Sequence, residues 1–160
     1  MTVDDTITNS LNSSTLKQLN LEPPIEIPSG TPVFEAVDKM SDNGFGCILV
    51  TDGGKLVGIF TERDVLLKIS ISDVNESQSV DEFMTKEPDT LKVTNTLSDA
   101  VREMSSRGYR HLPIMDEENS KCVGIITAKQ IIKFVVEFIP EQVYNLPPSL
   151  DQSMLTPEGG

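Results

Sequence analysis

The sequence predicts a mixed α/β fold of the α+β kind: two copies of one strand–helix–strand–strand–helix unit packed about a pseudo-two-fold axis. Three observations predict it. The stretch PIEIPSGTPVFEAVDKMSDNGFGCILVTD, from Pro24, lies over PDTLKVTNTLSDAVREMSSRGYRHLPIMD, from Pro88, at a constant offset of 64. After two extra residues in the second turn, KLVGIFTERDVLLK lies over KCVGIITAKQIIKF at an offset of 66. Within each copy, short apolar runs alternate with segments of helical apolar spacing. A period near 65 with only two copies is too long for a solenoid unit. It suits two small domains facing each other, whose junction forms paired clefts where small ligands bind.

Each element has its own signal. IEI and TLKV read as short extended segments. Val33, Ala36, Val37 and Met40 recur at helical spacing in the first copy, as do Leu97, Ala100, Val101 and Met104 in the second, with Thr96 or Ser98 as the cap. Gly44 and Gly108 stand where a helix C-terminal glycine belongs. CILV and HLPIM form the next strands, DGGK and DEENSK are hairpin turns, and LVGIF and CVGII return. Gly58 and Gly124, at matching places in the return strands, indicate close backbone approach. A last helix starts at Thr61 or Thr127. The expected organisation is a mobile polar segment over 1–15, units over 16–70 and 80–146, a polar linker over 71–79 ahead of the helix-like SVDEFMT, and a mobile tail over 147–160.

Composition narrows the function. A chain of 160 residues has room for a real core. Its formal charge of −12 argues against nucleic acid, which is held by basic patches that release counterions. Positive charge is nevertheless uneven: residues 1–80 hold five Lys and Arg, residues 81–160 hold eight, with Arg102, Arg107 and Arg110 close together. An anion therefore finds local cations on an acidic protein. The N-terminus carries no signal sequence, the apolar runs are too short and too charged to span a bilayer, and the expected location is cytoplasmic. Cys47 and Cys122 fall in apolar strands and read as buried, reduced thiols with no metal spacing. One histidine, no nucleophile–base set and no Gly-rich phosphate loop leave nothing to run catalysis. Asp116, Glu117 and Glu118 read as solvated turn charge.

Helix, Gly, short strand, Asp-turn-Lys and then the Val-Gly-Ile strand ending in Thr, present twice, resembles a pair of CBS domains, the tandem regulatory module found beside IMP dehydrogenase and in AMP-activated kinase. MTKEPDTL and RHLPIMD are especially similar to the family's wording, and the resemblance runs from about Leu16 to Tyr144. It implies that an adenosine ligand (AMP, ADP, ATP or S-adenosylmethionine) binds between the copies and that occupancy is passed to an effector protein. No effector domain reads within these residues, so action in trans is the expectation unless they are a fragment of a longer protein.

The residues support two readings of the same positions. In GIFTERD, Thr61 ends a strand and opens a helix, with Asp64 one turn on. A carboxylate there accepts from ribose hydroxyls, the role the family gives this Asp, with Thr61 and Arg63 beside it. Thr-x-x-Asp is equally a capping box that needs no ligand, and Thr127 with Gln130 fits a capping box as well. Arg110 and His111, followed by Pro113, stand at the family's phosphate position, where the planar fork of Arg donates bidentate bonds. Ile25 and Ile27, with Pro24, are candidates for the adenine slot of this first cleft or for ordinary strand core. The second cleft, with Thr127, Gln130 and Thr90, has Gly46 and Cys47 in place of Arg-His and is expected to bind more weakly. The final helix carries a broad apolar stripe of Ile131, Ile132, Val135, Phe138 and Ile139, extended by Phe134 and Val136. That stripe, with the resemblance, predicts a two-fold homodimer. A ligand-free dimerisation scaffold and an S-adenosylmethionine module are the competing functions.

Overall fold

The computed structural model of the protein describes residues 3–70, 73–118 and 121–137. The first copy contributes β1 (Glu26–Pro28), α2 (Val33–Asn43), β2 (Cys47–Asp52), β3 (Lys55–Thr61) and α3 (Glu62–Asp64), which continues as a π-helical stretch, Val65–Ile69. The second contributes β5 (Leu91–Lys92), α4 (Leu97–Arg107), β6 (His111–Met115), β7 (Cys122–Thr127) and α5 (Ala128–Glu137). In each copy the first strand runs parallel to the second, which pairs antiparallel with the third. The register slips at matching points, between Val50 and Thr51 and between Ile114 and Met115. The doubled fold legible in the sequence is therefore present down to its bulges.

Local chemistry sets the helix ends. Thr96, not Ser98, caps α4: Asp99 N donates to Thr96 Oγ1 at 3.2 Å and Thr96 N donates to Asp99 Oδ2 at 2.9 Å. The bond from Thr96 N, with those from the Asn95 and Arg102 side chains, holds the Asp99 carboxyl down at about 2 against burial. Gly44 and Gly108 close α2 and α4 at φ of 66° and 72°, where a side chain would be strained.

The segments leading into the copies are exchanged. A 3₁₀ turn, Leu16–Gln18, precedes the first copy, yet Leu16 is fully buried in the core of the second, with Leu97, Leu112 and Ile126. The corresponding 3₁₀ turn, Val80–Glu82, precedes the second copy and buries Val80 in the core of the first, with Ile27, Val33 and Phe60. Just beyond, β4 (Thr85–Lys86) pairs with β3, making a four-stranded sheet in the order β1-β2-β3-β4. Reciprocally, Glu22 bridges Ile125 on β7. A two-fold relation between the copies produces this reciprocity. The glycines foreseen as close approaches are where the exchanged segments press: a Cβ on Gly58 would lie 2.1 Å from Met84 Sδ, and one on Gly124 2.6 Å from Leu21 Cβ. A third cluster, containing Cys47, Leu49, Ile59, Cys122 and Ile125, joins the two sheets. Both cysteines are free and buried.

Two expectations need correction or restriction. Of the N-terminal segment expected to be mobile, residues Val3–Ser13 form a helix, α1, packed on α4. Its Ile7 and Leu11 lie one turn apart on one face, and Leu11 packs on the second copy's core, an anchor that the polar composition hid. On α5, Ile131 is buried and Phe134 and Val135 pack beside it, whereas Ile132 and Val136 are exposed. Phe138, Ile139 and the tail over 147–160 lie outside the described residues.

Candidate nucleotide cleft

A cavity of about 480 Å³ opens between the copies. The first copy supplies Gly46, Ile59, Thr61, Glu62, Arg63, Asp64, Leu66 and Leu67. The second supplies Arg107, Gly108, Tyr109, Arg110, His111, Leu112 and Pro113, and the exchanged leader supplies Thr85, Pro88 and Asp89. Six positions expected in the first cleft thus come together: Thr61, Arg63, Asp64, Arg110, His111 and Pro113. Ile25 and Ile27 do not join them. Ile27 is buried in the first copy's core and Ile25 packs against that core. The leader of the opposite copy, from Thr85 to Asp89, takes the place expected for them, because the leaders are exchanged.

Asp64 is buried and its oxygens are occupied from within. Oδ2 accepts from Thr61 N at 2.9 Å and from Thr61 Oγ1 at 2.8 Å, and Asp64 N donates to Thr61 Oγ1 at 3.3 Å. Oδ1 meets Lys68 Nζ at 2.7 Å. The capping box is present, and it aims a carboxylate along the cleft wall. Opposite, Arg107 pairs with Asp89 at 3.5 Å, and the Tyr109 hydroxyl donates to Asp89 at 2.7 Å. That bond to a carboxylate, with burial, raises the Tyr109 pKa. Arg63 donates a long 3.4 Å bond to Gly108 O.

His111 lies against Gly46, where a Cβ would stand 2.7 Å from Nε2 and 3.5 Å from Glu62 Oε2. The ring reaches its place because Gly46 has no side chain, a reason for that glycine which the sequence left unread. Burial pushes the His111 pKa down; the Glu22 and Glu62 carboxylates oppose this, and the Arg110 guanidinium adds to it.

The second cleft's residues are arranged differently. Gln130 Oε1 accepts from Thr127 N at 2.9 Å and Thr127 Oγ1 at 3.2 Å, while Gln130 Nε2 donates to Asn20 O at 2.9 Å. The amide is spent on the cap and on the leader. Cys47, at the position matching His111, has its thiol pushed up to about 12 by burial, with Glu22, Cys122 and Glu62 adding, so it carries no charge. Thr90 is exposed and next to Asp89, on the side of the first cleft. Among the described residues no group of three or more His, Cys, Asp or Glu gathers for a metal, and no helix is long and apolar enough to cross a membrane.

Comparison with known proteins places these features in a family. The chain is 30% identical over 106 residues to an uncharacterized 17.7 kDa protein of Acidianus ambivalens, covering 66% of this chain and 63% of that one. It therefore spans less than two thirds of that relative. Its fold matches the CBS domain pair of protein MJ0100, solved in complex with 5-methylthioadenosine and S-adenosyl-L-methionine, at a TM-score of 0.68, 22% identity and coverage of 78% and 97%. It also matches CBSX2, solved in complex with AMP, at a TM-score of 0.65, 22% identity and coverage of 78% and 98%. The CBS domain family matches twice in tandem, over residues 16–71 and 80–137. The chain belongs to the CBS-domain family, as a tandem pair.

Proposed function

We propose that the protein is a regulatory module that binds one adenine nucleotide (AMP, ADP or ATP) in the first cleft and signals occupancy to an effector protein in trans. One observation carries this reading. A single cavity brings a buried carboxylate, Asp64, to face Arg110, whose guanidinium makes no ion pair among the described residues. A carboxylate suits a sugar diol and a guanidinium suits phosphate. Related folds solved with AMP and with adenosyl ligands support the ligand class. The nucleotide acts as a regulatory ligand, not as a cofactor of catalysis, in a non-enzymatic cytoplasmic protein.

The exposed apolar side chains Ile132 and Val136 on α5, with Leu66 and Leu67 beside the cleft, favour a homodimer. Light scattering at micromolar concentration reads a dimeric mass on this reading; a monomeric mass removes the dimer. A thermal-shift screen of AMP, ADP, ATP and S-adenosylmethionine tests the ligand, since whatever binds only the native state raises Tm. A shift with a nucleotide supports the reading. A shift with S-adenosylmethionine alone moves the ligand class, from a phosphate-bearing nucleotide to a sulfonium ligand that has no phosphate. No shift with any of them favours the interaction scaffold, for which the complete capping box at Thr61 and Asp64 is the specific observation.

A further inference from the structure

We infer that Lys68 is a positioning residue of the first cleft, tying its carboxylate to the segment that walls it, so that occupancy is transmitted to the leader of the second copy. The inference rests on the reading of the cleft above and concerns its regulation. Lys68 Nζ lies 2.7 Å from Asp64 Oδ1 and donates to Phe83 O at 2.5 Å. An ammonium has three donors and serves both partners at once. Phe83 is anchored in the first copy's core, and two residues on, Thr85 opens β4. Thr85, Pro88 and Asp89 then line the cavity. One side chain therefore links the carboxylate on one wall to the strand that carries the other.

The second copy supplies an internal control. At the repeat offset of 66, Gln130 stands for Asp64 and Phe134 for Lys68. Phe134 packs on the apolar cluster that also holds Leu19 from the other leader, and Gln130 reaches Asn20 O directly. Both copies fasten this helix to an exchanged leader. Only the first does so through a charge shared with the cleft carboxylate. A sugar hydroxyl donating to Asp64 draws on the same lone pairs as Lys68, whose side chain is 42% exposed and free to readjust. The ammonium then leans on the Phe83 carbonyl, and the leader responds. The neutral Gln130–Phe134 arrangement has no charge to redistribute.

Hydrogen exchange on the full chain, with and without AMP, tests this. In the wild type, saturating AMP changes exchange at the Met84 and Glu87 amides, which bond to Val80 O and Val57 O. Lys68→Met, compared with AMP at saturation for that variant, shows no change at those amides. Lys68→Arg restores it. Should Lys68→Met fail to fold, Lys68→Gln, which keeps a donor for Phe83 O, takes its place with the same expected loss. A purely structural lysine would lower Tm yet leave the AMP-dependent change intact; that result, or no change in the wild type at saturation, overturns the inference. Calorimetry separates the two failures: if AMP, ADP and ATP all fail to bind, the reading of the cleft falls and takes this inference with it.

Discussion

The two copies repeat one backbone and diverge at the residues that face a ligand. In the first cleft Asp64, which pairs with Lys68, lines the cavity together with Arg110 and His111. At the second, the matching positions are Gln130, Phe134, Gly46 and Cys47. The helix caps are conserved in form between the copies: Thr61 N donates to Asp64 Oδ2 and Thr127 N donates to Gln130 Oε1, both at 2.9 Å. A neutral amide therefore does everything the fold asks of that position. What it does not supply is a charge. The difference separates what the fold needs from what a polar ligand would need.

The sharpest way to break the comparison is to remove Asp64 and Gln130 in turn. Asp64→Ala is expected to weaken AMP binding by about 100-fold or more, the scale of losing two charge-assisted hydrogen bonds. Gln130→Ala is expected to leave binding nearly unchanged. Each substitution also removes the N3 side chain that accepts from the capping residue's N–H, while the Thr61 or Thr127 hydroxyl still caps the helix, so each should cost about 1 kcal/mol of stability. Calorimetry for affinity and stoichiometry, with denaturant unfolding for stability, reads both quantities. One AMP per chain with this asymmetry sustains the comparison. Two equal sites, or full affinity in Asp64→Ala, means the cleft has been assigned to the wrong copy.

Arg110→Ala sharpens it at a smaller scale. Its guanidinium makes no ion pair among the described residues and lines the cavity. Its removal should weaken AMP by about tenfold, with little effect on adenosine, which has no phosphate to lose. It should also flatten the salt dependence of AMP binding, since one exposed charge pair is then missing. Equal losses for AMP and adenosine would place Arg110 away from the phosphate.

How much of this was legible depended on whether the signal was local. The strand–helix order, the C-terminal glycines of α2 and α4, and the close approaches at Gly58 and Gly124 follow from spacing and residue type alone. The residues on the two facing walls, Asp64 and Arg110, were legible because a repeat makes mismatched positions visible. What sequence order concealed was the exchange of leaders. It assigns Ile25 and Ile27 to the cleft beside Asp64, whereas Thr85, Pro88 and Asp89 line it. A segment whose core partners lie in the other copy, as Val33 does for Val80, leaves no periodic trace. The matching 3₁₀ turns at Leu16–Gln18 and Val80–Glu82 extend the repeat ahead of Pro24 and Pro88, a feature the sequence alone left unread. Helix α1 was missed for a related reason: two apolar residues one turn apart are too weak a pattern without the α4 surface they cover.

The smallest expected effect is a pH dependence that only the first cleft should show. His111 is held below its ordinary value of 6.5 by burial and by Arg110, against Glu22 and Glu62. In the free protein the ring is therefore neutral where an unfolded chain's histidine begins to charge. The sign follows from linkage: as pH falls through 6.5 the unfolded state binds the proton first, so this stability contribution is complete above 6.5 and declines below it. A bound phosphate reverses the balance in the cleft. Placed beside the imidazole, an anion favours the protonated ring, so the complex takes up a proton that the free protein lacks. AMP affinity should then rise as pH is lowered from about 8 to about 6, while the stability of the free protein drifts down. Protonation of AMP itself also contributes over this range, so the measurement is a difference. Calorimetry in two buffers of unlike ionisation enthalpy should show greater proton uptake for the wild type than for His111→Gln. Identical uptake in the two proteins would remove His111 from the phosphate and leave Arg110 to face it unaided.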